Sequence, residues 1–449
     1  MNEIAKYALL LGTLLWGSFS IAQTHNDIDE IVADTTACQE CIVDTTTSCP
    51  GDSLLLIEHI SCVNIEADTI TFNGADWSSL FDAMQQLQDS THDATRRVVS
   101  IIHLGDSHVQ AGYFTEALRL PMQQRWGNAG RGLITPLRIC KTNEPADYRI
   151  TSPDKWQYKR CIIGKKFSNS VGVSGILIEP ASQYIDLTFE TMSRYGEDVG
   201  FNTLRLFHAT SNHFPQLIPA ITPEGLETFS PQPGETCYRW THTQNTIQLQ
   251  GANSYKEESA AIFGASLENG KSGIIVHTIG NNSATYECYN RVEEYGKKIA
   301  PLAPHLVIIS LGTNESVSNT TTHEGVYQQI DQLISSIKAH SSNTLFLLTT
   351  PADNKLRKRG RRKNGRRTTH YVENALIDTV TEAIKAYGKE HNIAVWDWYT
   401  IGGGKGSCET WIDEKGMRND HIHYTPKGYA LQGNLLYHSI LNAYEEYIR

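Results

Sequence analysis

The pattern of apolar and polar positions changes abruptly near residue 100. The run Val98–Leu104 is rich in β-branched residues and ends in Gly105-Asp106-Ser107, and helical spacing follows from about Tyr113. This pattern predicts a buried parallel strand, a turn and a helix. In open α/β folds, ligands bind at the carboxyl edge of the sheet, just beyond such strands. We therefore expect Ser107 to lie at that edge.

Strands and helices alternate again in the second half of the chain. Strands are predicted at Gly273–Thr278, His305–Leu311, Thr344–Thr350 and Ile393–Trp398. Helices are predicted at Trp77–Gln88, Tyr113–Trp126, Tyr327–His340 and Val372–Lys389, and after the cap Thr425-Pro426. We expect Pro121 to kink or break the second of these helices. The alternation predicts an α/β fold with a parallel, doubly wound sheet.

Residues 136–268 follow a different pattern. Short runs of alternating apolar and polar residues are separated by Gly, Pro, Asn and Ser, and no long helical period occurs among them. This pattern predicts an all-β sandwich module. Because the module interrupts the α/β pattern, we interpret it as an insertion in one catalytic domain made of residues 71–135 and 269–449.

The first 70 residues have neither pattern. Lys6 precedes an apolar run from Tyr7 to Ile21, and a small-residue cleavage site follows it, so residues 1–22 are predicted to be a signal peptide. Residues 23–70 are rich in Asp and Thr, which predicts a leader that is either poorly ordered or held by disulfides. The apolar run is short for a membrane anchor, and no other stretch is apolar enough to span a bilayer. We therefore expect an exported protein, periplasmic or extracellular, without stable membrane insertion.

Composition narrows the possible partners. The chain has 449 residues, 40% of them hydrophobic and 20% charged, as is usual for a globular protein. Its net charge of −10 argues against general nucleic-acid binding. Four of its nine cysteines cluster after the signal peptide, at Cys38, Cys41, Cys49 and Cys62. In an exported chain two disulfides are favoured over a zinc site, but the pairing stays open.

One strongly basic run, Arg357–Arg367, stands out in this acidic chain. The simpler interpretation is a solvated loop beyond the strand at Thr344–Thr350. The alternative is contact with an anionic glycan or envelope polymer. Nucleic-acid binding is disfavoured by the predicted signal peptide.

Serine chemistry requires a base, because a serine hydroxyl is a weak nucleophile until its proton is removed. The segment Asn419–Pro426 supplies His423 as the candidate base and Asp420, three residues earlier, as the group that orients it. The rival His421 has the wrong spacing from Asp420 and is interpreted as a surface-loop residue. An upstream Gly-Asp-Ser-Leu string places Ser53 after no strand, so Ser53 is interpreted as a turn residue.

Acyl transfer also needs donors for the oxyanion. The candidates are the backbone N–H groups of Ser107 and Gly280 and the side-chain amide of Asn314. Gly280 and Asn314 follow predicted strands, and a glycine lets the backbone approach the substrate closely. His108 is either part of the acyl pocket or a packing residue at the helix start. No metal or cofactor is expected.

These blocks resemble the SGNH family, also called GDSL hydrolases. Gly105-Asp106-Ser107, Gly280, Gly312-Thr313-Asn314 and Asp420-x-x-His423 occur in the family's order. Two positions depart from it, since His108 replaces leucine and Glu315 stands where aspartate is frequent. The resemblance implies a flavodoxin-like three-layer fold and a serine esterase.

A narrower resemblance is to peptidoglycan O-acetylesterases of this superfamily, which carry a carbohydrate-binding-like β module. It rests on Gly105–Gly112, Trp126–Leu133 and Thr278–Ala284, and on the place of the β insertion. It implies that acetyl groups are removed from the muramic acid 6-hydroxyl, with an O-acetylated glycan polymer as partner. The alternatives are an acetylesterase for acetylated xylan or host glycans, and a non-catalytic glycan-binding protein.

Overall fold

The computed structural model describes residues 60–88, 95–162, 171–211, 214–253, 260–363 and 366–449. Their strands are β1 (Ile70–Thr71), β2 (Val98–Gly105), β3 (Gly132–Ile134), β4 (Tyr148–Thr151), β5 (Trp156–Arg160), β6 (Ile176–Pro180), β7 (Tyr184–Thr191), β8 (Phe201–His208), β9 (Ile218–Pro219), β10 (Glu227–Phe229), β11 (Glu235–Gln244), β12 (Thr246–Ala252), β13 (Ile262–Glu268), β14 (Gly273–Gly280), β15 (Leu306–Ser310), β16 (Leu345–Thr349), β17 (Lys355–Lys363), β18 (Arg366–Glu373) and β19 (Ala394–Trp396).

The helices of the described residues are α1 (Ser78–Gln88), α2 (Ser107–Gln110), α3 (Tyr113–Trp126), α4 (Tyr286–Asn290), α5 (Tyr295–Ile299), α6 (His323–Lys338), α7 (Leu376–Glu390), α8 (Trp398–Ile401), α9 (Ser407–Asp413) and α10 (Pro426–Tyr447). Short 3-10 turns lie at Ile65–Ala67, Ala300–Leu302 and Glu315–Val317. None of these helices is long and apolar enough to cross a lipid bilayer.

A six-stranded mixed sheet forms the centre of the α/β part, in the order β1-β19-β16-β15-β2-β14. All neighbours are parallel except β1, which is antiparallel to β19. Alternate residues of β2 enter two separate hydrophobic clusters, so that Ile101 packs with α3 and α10 while Ile102 packs with α6 and α7. Burial on both faces explains the continuous apolar run. The predicted α/β fold with a parallel sheet core is confirmed.

Helix α3 continues through Pro121 to Trp126, so the proline does not break the helix, and a kink at this position stays a prediction. Most residues of α3 are buried, including Pro121 itself. A Cβ on Gly433 of α10 would stand 2.5 Å from the carbonyl oxygen of Phe114, which shows how closely the two helices approach. Packing on both sides therefore keeps the helix continuous despite the missing N–H.

Antiparallel sheets occupy the segment predicted to be an inserted β module. One sheet has the order β10-β11-β8-β13-β6-β5, with β3 also paired to β13, and the other has the order β4-β7-β12-β9. Inward residues of both sheets share one hydrophobic cluster, including Leu187 and Leu249 from one sheet and Leu204 and Trp240 from the other. Two sheets around a common core are consistent with the predicted β insertion.

The simpler interpretation of the basic run, as a solvated loop, is wrong over most of its length. Strands β17 and β18 pair antiparallel around it, with Lys355 opposite Glu373 and Lys363 opposite Arg366. The sequence itself contains a signal for this arrangement. Asn364-Gly365 between two strands is a strong indicator of a hairpin turn.

The last part of the predicted leader is also ordered. Ile60 is buried, and β1 pairs with β19 in the central sheet. The Asp68 carboxylate accepts hydrogen bonds from Trp396 Nε1 at 2.9 Å and Ser439 Oγ at 2.8 Å. Residues 60–70 therefore belong to the packed α/β part, because apolar burial and two buried hydrogen bonds hold them there. The predicted signal peptide, Ser53 and three of the four clustered cysteines (Cys38, Cys41 and Cys49) lie outside the described residues.

Candidate active site

Three of the predicted site segments meet at the carboxyl edge of the central sheet. Gly105 at the end of β2 stands in register with Gly280 at the end of β14 and with Ser310 at the end of β15. Ser107 begins α2 directly after β2, and Asn314 follows β15. Parallel strands end on the same edge, so segments far apart in sequence converge there.

The predicted nucleophile, base and orienting carboxylate form a continuous hydrogen-bonded chain. His423 Nε2 lies 3.0 Å from Ser107 Oγ, and His423 Nδ1 lies 2.8 Å from Asp420 Oδ2. The other carboxylate oxygen, Oδ1, accepts from the backbone N–H groups of Ile422 and His423 at 3.0 and 2.9 Å. Because Asp420 lies three residues before His423, its carboxylate can accept hydrogen bonds from the backbone of the turn and from the His423 imidazole at the same time.

The electrostatics of Asp420 determine the direction of these hydrogen bonds. Burial alone would raise the pKa of this carboxyl, but hydrogen bonds from His423 and from two backbone N–H groups lower its pKa to about 2. An ionised carboxylate can only accept, so Nδ1 of His423 donates to it. In the neutral imidazole Nε2 is then an acceptor, facing the Ser107 hydroxyl. The arrangement can remove the serine proton.

Asp106 ties the start of α2 to the candidate oxyanion donor. Its Oδ1 accepts from the backbone N–H of His108 at 2.9 Å, and its Oδ2 accepts from Asn314 Nδ2 at 3.1 Å. Complete burial raises the pKa of Asp106 to about 7. Asn314 Nδ2 also donates to the carbonyl oxygen of Ala284 at 3.0 Å. Because both amide N–H groups have protein acceptors, an oxyanion role for Asn314 requires one of these bonds to be exchanged.

A glycine is needed at position 280 because the backbone there lies very close to helix α2, whereas a close approach to the substrate was expected. A Cβ at this position would stand 2.2 Å from the backbone nitrogen of Gln110, inside the helix that begins with Ser107. The absent side chain therefore makes room for helix α2 rather than for substrate. A role for the Gly280 N–H as an oxyanion donor stays a prediction.

His108 lies beneath the candidate base. Its ring centroid is 5.5 Å from that of His423, and its Nδ1 is 3.1 Å from the hydroxyl of Tyr429. Burial is the main cause, and electrostatic repulsion from the nearby His423 is the second. Together they lower the pKa of His108 to about 3. His108 is therefore a neutral, buried residue at the start of α2, which agrees with its interpretation as a packing residue. Its proposed part in an acyl pocket stays a prediction.

Sequence reasoning missed a network of buried amides around Ser107. Gln110 Oε1 accepts from the backbone N–H of Asn282 at 2.7 Å, and Gln110 Nε2 donates to Thr142 Oγ1 and to the carbonyl oxygen of Asn143. These bonds connect the serine helix, the turn after Gly280 and the segment that leads to β4. The available signal was the position of Gln110, three residues after Ser107 in a helix whose neighbours are buried.

His421 is more than the surface-loop residue that its spacing suggested. Only 14% of its side chain is exposed, because its ring stacks on Tyr371 of β18 at a centroid distance of 3.8 Å. The backbone N–H of Lys355 donates to the carbonyl oxygen of His421 at 3.1 Å. The loop that carries the candidate base is therefore attached to the basic hairpin.

This hydrogen-bonded serine, histidine and aspartate chain at the edge of an α/β sheet is an arrangement found in serine hydrolases. The model of the GDSL-like Lipase/Acylhydrolase family matches residues 242–431, which include Gly280, Asn314, Asp420 and His423 but not Ser107. This match and the fold support an SGNH-type, GDSL-like hydrolase that acts on carboxylic esters.

One solved structure has a similar fold over most of the chain. The chain is similar to a structure described as a peptidoglycan O-acetylesterase in action, with a TM-score of 0.64 and 20% identity, over 84% of this chain and 99% of the other. A lipase/acylhydrolase from Enterococcus faecalis has 20% identity and a TM-score of 0.28, over 38% of this chain and 78% of its own. A catalytic mutant of an acetylxylan esterase from Geobacillus stearothermophilus has 14% identity and a TM-score of 0.28, over 37% and 73%. No curated protein matches the chain.

Proposed function

We propose that this chain is an exported serine esterase that removes O-acetyl groups from cell-wall peptidoglycan, at the 6-hydroxyl of muramic acid. The observation that carries the proposal is the chain of hydrogen bonds from Ser107 through His423 to Asp420 at the sheet edge. The likeness in fold to a peptidoglycan O-acetylesterase supports the choice of substrate. The predicted signal peptide supports export.

In the proposed reaction, Ser107 Oγ attacks the acetyl carbonyl carbon while His423 Nε2 takes the hydroxyl proton. Asp420 stabilises the imidazolium that forms. The oxyanion of the tetrahedral intermediate accepts hydrogen bonds from the N–H groups of Ser107 and Gly280 and from the Asn314 amide. The sugar oxygen then leaves with the proton from His423, and an acetyl-serine remains. Water, deprotonated by His423, releases acetate and restores the serine.

The test is acetate release from two acetylated polymers by the same protein preparation. We expect faster release from O-acetylated peptidoglycan than from acetylated xylan, with p-nitrophenyl acetate as a small ester that reports the chemistry alone. Ser107→Ala is the control for contaminating esterase. Faster release from xylan would assign the other polysaccharide class. No turnover of any of the three esters would favour the non-catalytic glycan-binding alternative.

A further inference from the structure

The turn after Gly280, made of Asn281 and Asn282, lies between the serine helix α2 and the β segment, which comprises residues 136–268. A Cβ at Gly280 would lie 2.2 Å from the backbone nitrogen of Gln110, so the turn begins directly against the backbone of α2. Three separate parts of the β segment form hydrogen bonds with the same turn. These contacts therefore fix the Gly280 backbone, a candidate oxyanion donor, relative to the nucleophile.

The side chain of Gln110 bridges this turn and the part of the β segment that leads to β4. Its Oε1 accepts from the backbone N–H of Asn282 at 2.7 Å, and its Nε2 donates to Thr142 Oγ1 at 3.0 Å and to the carbonyl oxygen of Asn143 at 2.7 Å. Asn282 Nδ2 donates to Thr142 Oγ1 at 3.2 Å and to Asn143 Oδ1 at 2.7 Å. Both amide side chains are buried. The turn therefore cannot shift without breaking hydrogen bonds that water does not replace.

Arg160, at the end of β5, contacts the turn from a second part of the β segment. Its Nη2 donates to the carbonyl oxygen of Asn282 at 3.2 Å. Arg160 is only 7% exposed, and its Nε has no hydrogen-bond partner among the residues that the structure describes. Burial lowers the pKa of the guanidinium, so this charge is held at a cost in free energy. A buried charge that is kept despite its cost is a feature of functional sites, which here points to the turn.

The third contact runs through Asn281, which is fully buried. Asn281 Nδ2 donates to the carbonyl oxygen of Ser174, ahead of β6, at 2.9 Å, and to the hydroxyl of Tyr289 at 3.3 Å. That hydroxyl donates to the carbonyl oxygen of Gly105 at 2.7 Å, and the backbone N–H of Asn281 donates to the same oxygen at 3.3 Å. Gly105 lies two residues before Ser107. The turn is thus attached both to the β segment and to the strand that carries the nucleophile.

An oxyanion donor is effective only over a narrow range of positions. Its N–H must lie about 2.7–3.1 Å from the place that the oxyanion will occupy, and a displacement of about 1 Å can lower the rate about 100-fold. We propose that the β segment contributes to the rate of the reaction by holding the Gly280 N–H at the oxyanion position. Gln110, Asn282 and Arg160 are the positioning residues. The proposal rests on the proposed function, because it needs a serine that transfers an acyl group, but it does not depend on which ester is the substrate.

The experiment compares single variants on p-nitrophenyl acetate, a small ester that has no glycan for the β segment to bind. Gln110→Leu removes the bridge between the turn and the β segment, and Arg160→Met removes the hydrogen bond from β5 without altering α2. We expect kcat to fall by at least about tenfold in Gln110→Leu and about threefold in Arg160→Met, with KM within about twofold, because the donor acts on charge that develops in the transition state. An unchanged kcat in Arg160→Met, which alters only the β segment, would overturn the proposal.

A matched variant separates positioning from stability. Thr191→Val removes a buried hydroxyl of the same β segment, whose hydrogen bonds to the carbonyl oxygens of Val199 and Asn245 stay within the segment. Its unfolding midpoint should fall while its kcat stays unchanged. Arg160→Lys keeps a charged donor and should recover part of the kcat that Arg160→Met loses. Equal losses of kcat in Thr191→Val and Arg160→Met would mean that the β segment acts through stability alone, and would overturn the proposal.

A second substrate separates this inference from the proposed function. If Gln110 and Arg160 position the donor, each variant's kcat/KM should fall by the same factor on O-acetylated peptidoglycan as on p-nitrophenyl acetate. A loss confined to peptidoglycan would make them polymer-binding residues and overturn the inference. If the unaltered protein hydrolysed the small ester but not peptidoglycan, the proposed substrate would fail while this inference stood. No turnover of either ester by the unaltered protein would remove both.

Discussion

Two polar clusters of the molecule use similar groups for opposite purposes. At the sheet edge, Ser107, His423 and Asp420 form a chain that remains open to solvent, with 15% of the His423 side chain and 43% of the Asp420 side chain exposed. Beside α3, Arg119, Arg131 and Asp147 form a cluster whose side chains are only 5–6% exposed. Both clusters pair groups of opposite polarity, but only the first has side chains that are exposed to solvent by more than 6%.

The closed cluster connects helix α3 to the β segment. Arg119 Nη2 on α3 lies 2.8 Å from Asp147 Oδ2, and Arg131 Nε lies 2.6 Å from the same oxygen. Glu116, also on α3, forms an ion pair with Arg194 in the connection between β7 and β8. Burial alone would raise the pKa of Asp147, but the two guanidinium groups hold it below its usual range. Buried charges of this kind fix the position of neighbouring elements only while every partner is present.

The largest expected effect comes from removing the nucleophile of the open cluster. Ser107→Ala should lower the turnover of p-nitrophenyl acetate by about 10⁴-fold or more, because no other group at the site can form the acyl intermediate. The midpoint of thermal unfolding should change by no more than about 2 °C, since the hydroxyl is one partly buried polar group with a single hydrogen-bond partner. Ser53→Ala serves as the matched control and should be fully active. An inactive Ser53→Ala beside an active Ser107→Ala would assign the nucleophile to the other serine.

Breaking the closed cluster should have the reverse effect. Asp147→Asn removes the carboxylate that forms ion pairs with the buried Arg119 and Arg131 and should cost about 3–5 kcal/mol of unfolding free energy, measured by urea denaturation. Asp198→Asn removes the partner of an exposed pair with Lys271 and should cost less than about 1 kcal/mol. Activity per folded Asp147→Asn molecule should be retained. Equal costs for the two substitutions would mean that burial does not distinguish the clusters.

A smaller effect sharpens the account of the open cluster. Asn314→Ala should lower kcat by about 100-fold with little change in KM, because an oxyanion donor acts on charge that develops in the transition state. Asn314 also holds Asp106, so the unfolding midpoint is measured together with the kinetics. A change confined to KM would make Asn314 a binding residue instead.

The smallest expected effect concerns Asp68, a buried acid that, unlike Asp147, has no cationic hydrogen-bond partner. Burial raises the pKa of Asp68 to about 6, although Trp396 and Ser439 donate to it. The folded state then binds the proton more tightly than the unfolded state, so the unfolding free energy falls as pH rises from about 4 to about 6. Asp68→Asn should remove roughly 1–3 kcal/mol of that decline, measured as urea stability at pH 4 and pH 7. A decline of the same size in both proteins would show that Asp68 does not titrate in this range.

The catalytic candidates could be predicted from sequence because their signals are local. A strand that ends in Gly-Asp-Ser predicts an exposed edge position for Ser107, and Asp420 and His423 are close enough in sequence to share one turn. The Asp420 carboxylate indeed accepts from the backbone of His423 as well as from its ring. Periodicity of 2 or 3.6 residues is likewise readable within one element, so the parallel strands of the central sheet and the helices longer than ten residues lie within about four residues of their predicted bounds.

What the sequence by itself determined was therefore the sequence of elements and the residue types at the ends of strands. The tertiary structure decided which distant groups meet: Asp147 between two arginines, Gln110 beneath the turn after Gly280, Asp68 against Trp396, and the hairpin against His421. Each of these contacts joins segments that no local period relates, and their energies depend on burial and on the charge of the partner. Those two quantities exist only after the chain has folded, because desolvation and pairing belong to the packed arrangement.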